Sequence, residues 1–96
     1  MPKKLSYDPT KRDRTIKERG LDFEQAAEVF AGNHFDFEDL RINYGEKRTI
    51  TVGFLNQRMI IVVWTPRKKK RHIISMRKAN EREKKQYQEI AQKSLG

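Results

Sequence analysis

Apolar residues in this chain follow two rhythms. From Arg48 to Leu55 they recur at every second position, with Ile50, Val52 and Phe54 on one face, as in a half-buried strand. From Arg58 to Thr65 the run is nearly continuous, which marks a central strand covered on both faces. Asn56-Gln57 turns the chain between them. Pro66 ends the second strand, a basic turn follows, and His72 to Arg77 predicts the next strand. Upstream, Phe35-Asp36-Phe37-Glu38 alternates apolar and acidic residues and predicts another strand, and Leu5-Ser6-Tyr7 a short first one. The stretch from Asp39 to Tyr44 is turn-like, and Gly45 admits a positive φ.

Helix signals fill the gaps. Asp8 before Pro9 is an N-cap followed by a first helical position, and the helix runs to about Arg19 and stops at Gly20. Its only large apolar residue is Ile16, so it is mostly solvated. A second helix starts at Asp22 with Gln25 as capping-box partner, turns Phe23, Ala26, Ala27, Val29 and Phe30 inward, and ends at Gly32. Asn80 with Glu83 caps a last helix whose core stripe is Tyr87, Ile90, Ala91 and Leu95. The predicted order is β-α-α-β-β-β-β-α. It describes one α+β domain over residues 1–96, ordered from about 5 to 92, with an antiparallel β-meander and helices packed on one side.

Composition narrows the function classes. Ninety-six residues suffice for one domain with a thin core, and nine aromatics argue that the core is real although 36% of residues are charged. The formal charge of +9 suits nucleic acid, an acidic protein or an anionic membrane surface. That charge is segregated. Residues 1–20 carry seven basic and three acidic side chains, residues 66–85 ten and two, and residues 21–46 seven acidic side chains and only Arg41. The absence of cysteine excludes disulfides and thiolate chemistry. The run from Met59 to Trp64 is far short of the roughly 20 residues that span a bilayer. No apolar segment follows the N-terminal lysines, so a cytoplasmic location without membrane association is expected.

Several stretches together resemble the BrnT toxins of bacterial type II toxin–antitoxin modules. They are Tyr7-Asp8-Pro9 with Lys11, Arg19-Gly20-Leu21-Asp22-Phe23-Glu24 running into Ala26-Ala27-Glu28-Val29-Phe30, and Tyr44-Gly45-Glu46 with Arg48. Val63-Trp64-Thr65-Pro66-Arg67 and the segment from Arg71 through Glu83 complete the set. The resemblance implies a RelE-like microbial ribonuclease fold and an endoribonuclease that inhibits translation and growth. It also implies a BrnA-type antitoxin partner that binds DNA, so that operator DNA is reached only through the antitoxin, with a heterotetramer as one arrangement. Many family members carry a Lys-His pair before the glycine that ends the first helix. This chain has Glu18-Arg19 there, so no proton shuttle can be placed at Arg19, which keeps a phosphate-holding role.

Metal-free RNA cleavage needs the 2′-hydroxyl deprotonated, the phosphorane charge stabilised and the 5′-oxygen protonated. Arginine suits the second task because its planar fork grips phosphate oxygens in two places. Arg77 and Lys78 close the last strand just before the helix terminus at Asn80, where free N–H groups favour an anion; the alternative is a pair of solvated edge charges. Arg82 sits in the first helical turn, where a cation opposes the helix dipole unless Glu81 and Glu83 neutralise it. Arg67 to Arg71 are five consecutive basic residues; Lys68 to Lys70 are expected to steer RNA, and Arg67 and Arg71 at the strand ends to hold it.

Glu46 and Arg48, with one residue between them, share a face, as an ion pair or as a general base beside a phosphate-binding arginine. His72 is expected to share a face with Ile74 and Met76, either structurally or as a base held neutral by the surrounding cations. Tyr44 is the better aromatic for base stacking, since Trp64 ends a core strand. Arg41 joins the phosphate-binding candidates. The two separated histidines offer no metal site, His34 has no assigned role, and no cofactor is expected.

The expected catalytic set is therefore Glu46, Arg48, His72 and Arg77. Arg19, Arg41, Tyr44, Arg67, Arg71, Lys78 and Arg82 are expected to bind RNA or phosphate. Residue patterns alone favour a basic nucleic-acid-binding domain over an enzyme, and a toxin-derived component of an autoregulatory complex is a third possibility. The family resemblance favours the ribonuclease.

Overall fold

The computed structural model describes residues 4–95, with side chains through residue 90. Strand β1 (Leu5–Tyr7) leads into helix α1 (Pro9–Arg19), followed by a 3₁₀ turn (Phe23–Gln25) continuous with helix α2 (Ala26–Ala31). Strands β2 (Phe35–Glu38), β3 (Thr49–Leu55), β4 (Arg58–Arg67) and β5 (Lys70–Lys78) follow, then helix α3 (Glu81–Leu95). None of the described helices is long and apolar enough to cross a membrane.

Local chemistry accounts for the helix ends. Asp8 accepts from the Thr10 N–H at 2.9 Å ahead of Pro9, and α1 closes on Gly20 at φ 68°, a left-handed position that suits a residue without Cβ. Asp22 and Gln25 form a reciprocal capping box, but its first turn is 3₁₀ rather than α. Asn80 and Glu83 form a second box, with bonds of 2.8 and 3.0 Å.

The sheet is mixed, in the order β1-β5-β4-β3-β2. Strands β2 to β5 form the expected antiparallel meander, and β1 adds a parallel edge to β5, pairing Ser6 with His72. This parallel edge is an addition to the expected meander, and the long chain between β1 and β5, from α1 through β4, supplies the crossover that parallel neighbours need.

Helices packed on one side are corrected. The side chains of β4 are apolar in both directions, so each face of the sheet needs a cover. Ile60, Val62 and Trp64 meet Phe23, Ala26 and Val29, whereas Met59, Ile61 and Val63 join Ile50, Val52, Phe35 and Tyr87 of α3. The expected core contributions of Ala91 and Leu95 lie outside the described side chains. On the first face the Trp64 indole N–H donates to Thr51 at 2.8 Å, and the Thr51 hydroxyl donates to Asp36 at 2.6 Å, so these two buried donors are paired.

Two strand details differ from expectation. Pro66 lies inside β4, opposite Arg71, where β3 no longer pairs beyond Thr49 and a missing N–H breaks no ladder on that side. Val63 pairs with Ser75 and Trp64 with Ile73, so Ile74 is an extra, bulged residue. The bulge sends Ile74 to the α3 face and Met76 to the opposite one, so His72 shares a face with Ile74 and not with Met76.

Candidate functional site

Helix α3 leaves part of its own face of the sheet open. By strand alternation this face receives Arg48 from the entry to β3, the buried Thr65 and Arg67 from β4, and His72, Ser75 and Arg77 from β5. Two groups of side chains form on it.

The first group lies toward the β4–β5 hairpin. Glu46 accepts from Arg67 at 3.2 and 3.3 Å and stands 3.6 Å from the Arg48 Nε. The Arg48 guanidinium lies 3.7 Å above the centre of the Tyr44 ring, and its buried Nε has no hydrogen-bond partner among the described residues. The ion-pair reading of Glu46 and Arg48 is therefore realised, and Arg67 extends the pair into a trio. One face of Tyr44 is covered by Arg48, which restricts stacking to the other.

His72 borders this trio. Its Nδ1 lies 3.0 Å from the Ser6 hydroxyl, and Thr65, opposite it on β4, donates its own hydroxyl to the Lys47 carbonyl at 2.7 Å. Burial, followed by the Arg67 charge, holds the imidazole below its ordinary pKa, against a smaller upward pull from Glu46. Near neutral pH the ring is uncharged, with one nitrogen carrying a proton and the other free to accept one.

The second group surrounds a cleft of about 450 Å³ between the sheet, the β2–β3 connection and α3. Arg19, Arg41, Ser75 and Arg77 line it. Arg19 donates one bond to the Met76 carbonyl at 3.0 Å. Arg41 forks onto Asp39 with two bonds of 2.8 Å; the Asp39 side chain is wholly buried, and Arg41 holds its pKa down at about 2. Arg77 forks onto Glu83 with two bonds of 2.7 Å, which lowers the Glu83 pKa to about 2. The helix terminus at Asn80 does attract an anion, as its N–H groups predict, and that anion is Glu83 of the same chain.

Other candidates lie elsewhere. Arg71 turns to the opposite face, 3.9 Å from the centre of Phe30 and 5.1 Å from that of Trp64, and burial lowers its pKa. Its separation from Arg67 follows from register, since Arg67 pairs with Lys70 while Arg71 pairs with Pro66. Lys78 follows Arg77 by one residue and so points away from it. Arg82 is exposed on the first turn of α3 and makes no ion pair among the described residues. Trp64 is buried, as its strand position predicts.

Sequence patterns missed Ser6, Ser75 and Asp39. The serines carry no local signal, because only the β1–β5 pairing and the bulge bring them to this face. Asp39 was detectable in principle from its two-residue spacing to Arg41, the distance over which an Asx side chain meets nearby backbone.

Among the described residues, no three His, Asp or Glu side chains come together as metal ligands. The open face offers fixed cationic donors beside an imidazole acceptor, a combination suited to phosphodiester chemistry. No curated protein matches the chain. A family model described as the ribonuclease toxin, BrnT, of type II toxin–antitoxin systems matches residues 7–83, which takes in every element from the end of β1 to the first turn of α3. The chain belongs to that BrnT family of ribonuclease toxins.

Proposed function

We propose that this chain is an endoribonuclease toxin that cleaves RNA without a metal ion, by transferring the phosphodiester to the neighbouring 2′-hydroxyl. The observation that supports this most directly is the meeting of Glu46, Arg48, Arg67 and His72 on an uncovered face of the sheet. His72 accepts the 2′-hydroxyl proton as the 2′-oxygen attacks phosphorus. Arg48 and Arg67 bind the phosphorane oxygens, where fixed donors contribute about 10²–10³-fold each. The P–O5′ bond then breaks and water protonates the leaving oxygen, giving a 2′,3′-cyclic phosphate and a 5′-hydroxyl. Glu46 serves as the anchor that spaces the two guanidinium groups, since both already draw on its carboxylate.

Arg19, Arg41 and Arg77 track the RNA backbone across the adjoining cleft, and the lysines of the hairpin add long-range attraction. A cognate antitoxin, implied by the type II family, neutralises the toxin by covering this basic face. Operator DNA is reached through the antitoxin alone, and the toxin acts in the cytoplasm, where translation takes place.

The test is incubation of end-labelled RNA with the purified chain in EDTA. Wild type and Arg71→Ala are expected to yield cyclic-phosphate ends, and Arg48→Ala and Arg67→Ala to lose them. Salt-sensitive binding with no cleavage by wild type would instead establish a non-enzymatic nucleic-acid-binding domain.

A further inference from the structure

His72 is gripped from one side. Ser6 sits opposite it in the parallel β1–β5 register, with its Oγ 3.0 Å from Nδ1. The residue on the other flank, Thr65, has committed its hydroxyl proton to the Lys47 carbonyl. The two nitrogens of an imidazole point in diverging directions, so tying Nδ1 to the edge strand leaves Nε2 pointing away from β1, toward β4. The charged groups around the ring are Arg67 from β4, Glu46 from the loop before β3, and Asp8 and Lys11 from the start of α1.

Arg67, the charge that acts most strongly on the ring, has donors and no acceptor, which favours a lone pair on Nε2 over the proton that Glu46 or the Thr65 oxygen could accept there. The Nδ1–H then donates to the Ser6 oxygen, and the tautomer is set by the bond at the other nitrogen. Ser6 itself has little freedom. It is the middle residue of a three-residue strand whose end is fixed by the Asp8 cap of α1.

We infer that Ser6 is a positioning residue, which holds His72 as the Nδ1–H tautomer and presents the Nε2 lone pair to the substrate 2′-hydroxyl. Its consequence for catalysis rests on the ribonuclease reading above, whereas the tautomer does not. A serine with no chemistry of its own would thereby decide whether the histidine can act as a base.

The experiment combines ¹⁵N NMR of the full chain with RNA cleavage. In wild type at neutral pH the His72 ring is expected to show a protonated Nδ1 and an unprotonated Nε2. Ser6→Ala should shift it toward a mixture, lower kcat by about tenfold with KM nearly unchanged, and move the acidic limb of the kcat profile. Ser6→Thr, which restores a hydroxyl in a residue that suits a strand, should recover both readouts. A wild-type ring protonated at Nε2 overturns the inference, as does a Ser6→Ala variant with unaltered tautomer or unaltered pH profile. A wild-type chain that shows the expected tautomer but cuts no RNA overturns the ribonuclease reading and leaves the assignment of Ser6 as the holder of Nδ1 standing.

Discussion

Arg77 and Glu83 are joined by two bonds of 2.7 Å, and the same carboxylate accepts the Asn80 N–H at 3.0 Å. One acidic side chain therefore caps α3, complements its dipole and ties the helix to the end of β5. The site candidate Arg77 is thus also part of the joint that seats α3 on the sheet.

Separating the two roles of Glu83 is straightforward. Glu83→Gln keeps the capping-box geometry and removes the charge pair, with an expected loss of about 0.5–1 kcal/mol because Arg77 is partly exposed. Glu83→Ala removes both and is expected to cost about 1–2 kcal/mol in urea unfolding. The acid limb has a defined sign. The folded pKa near 2 lies below the ordinary 4.5, so this stabilisation is complete above about pH 4.5 and is lost as pH falls through 2. Asp39, lowered from 3.8 to about 2, acts in the same direction, and its contribution is lost as pH falls from 3.8 through 2. Thermal melts from pH 7 to pH 2 should fall less steeply for Glu83→Gln than for wild type.

Gly53 lies against α2 so closely that an added Cβ would stand 2.6 Å from the Val29 Cγ1 and 3.2 Å from the His34 Cβ. Neither neighbour is the far end of a flexible chain. Gly53→Ala should therefore destabilise the protein by about 1–3 kcal/mol. Val29 and His34 are remote from the proposed RNA-binding face, so cleavage per folded molecule should be unchanged in a denaturation-corrected assay.

Arg48 and Arg71 offer a direct contrast. Arg48→Ala removes a guanidinium from the open face and should lower RNA cleavage about 10²–10³-fold with a modest effect on stability. Arg71→Ala removes a cation stacked on Phe30 and beside Trp64, and should cost about 1–2 kcal/mol of stability while sparing cleavage. A reversed pattern in parallel melts and activity assays would place the functional face on the wrong side of the sheet.

The hairpin between β4 and β5 turns on Lys68 and Lys69, at φ 50° and 65°. Two consecutive left-handed residues favour Asn and Gly, so lysine there retains charge at the expense of backbone preference. Lys68→Asn with Lys69→Gly should raise stability by about 0.5–1 kcal/mol. The logarithmic salt slope of RNA binding should fall by up to about 1.4, the contribution of two neutralised phosphates on a single strand. An unchanged slope would mean that the lysines do not reach the RNA.

Much of the scaffold was legible because its signals are local. The Asp8-Pro9 start, the Asp22–Gln25 and Asn80–Glu83 boxes, the Gly20 stop and the Asn56–Gln57 turn each depend on residues within a few positions of one another. The continuous apolarity of β4 likewise announced a strand buried on both faces. Such a strand needs a cover on each face, which excludes helices packed on one side alone.

The candidate site was less legible, since a run of cations does not state where each points. By itself the sequence determined the chain's elements, its basic character and its membership of the BrnT family, because spacing and composition carry those properties. Tertiary structure alone decided that Arg67 and Arg71 diverge, that Arg77 answers to Glu83, and that Ser6 meets His72 across 66 positions of chain. The physical reason is that strand register and a single bulge assign every side chain to one face or the other, and both are set by pairing between segments that share no local signal.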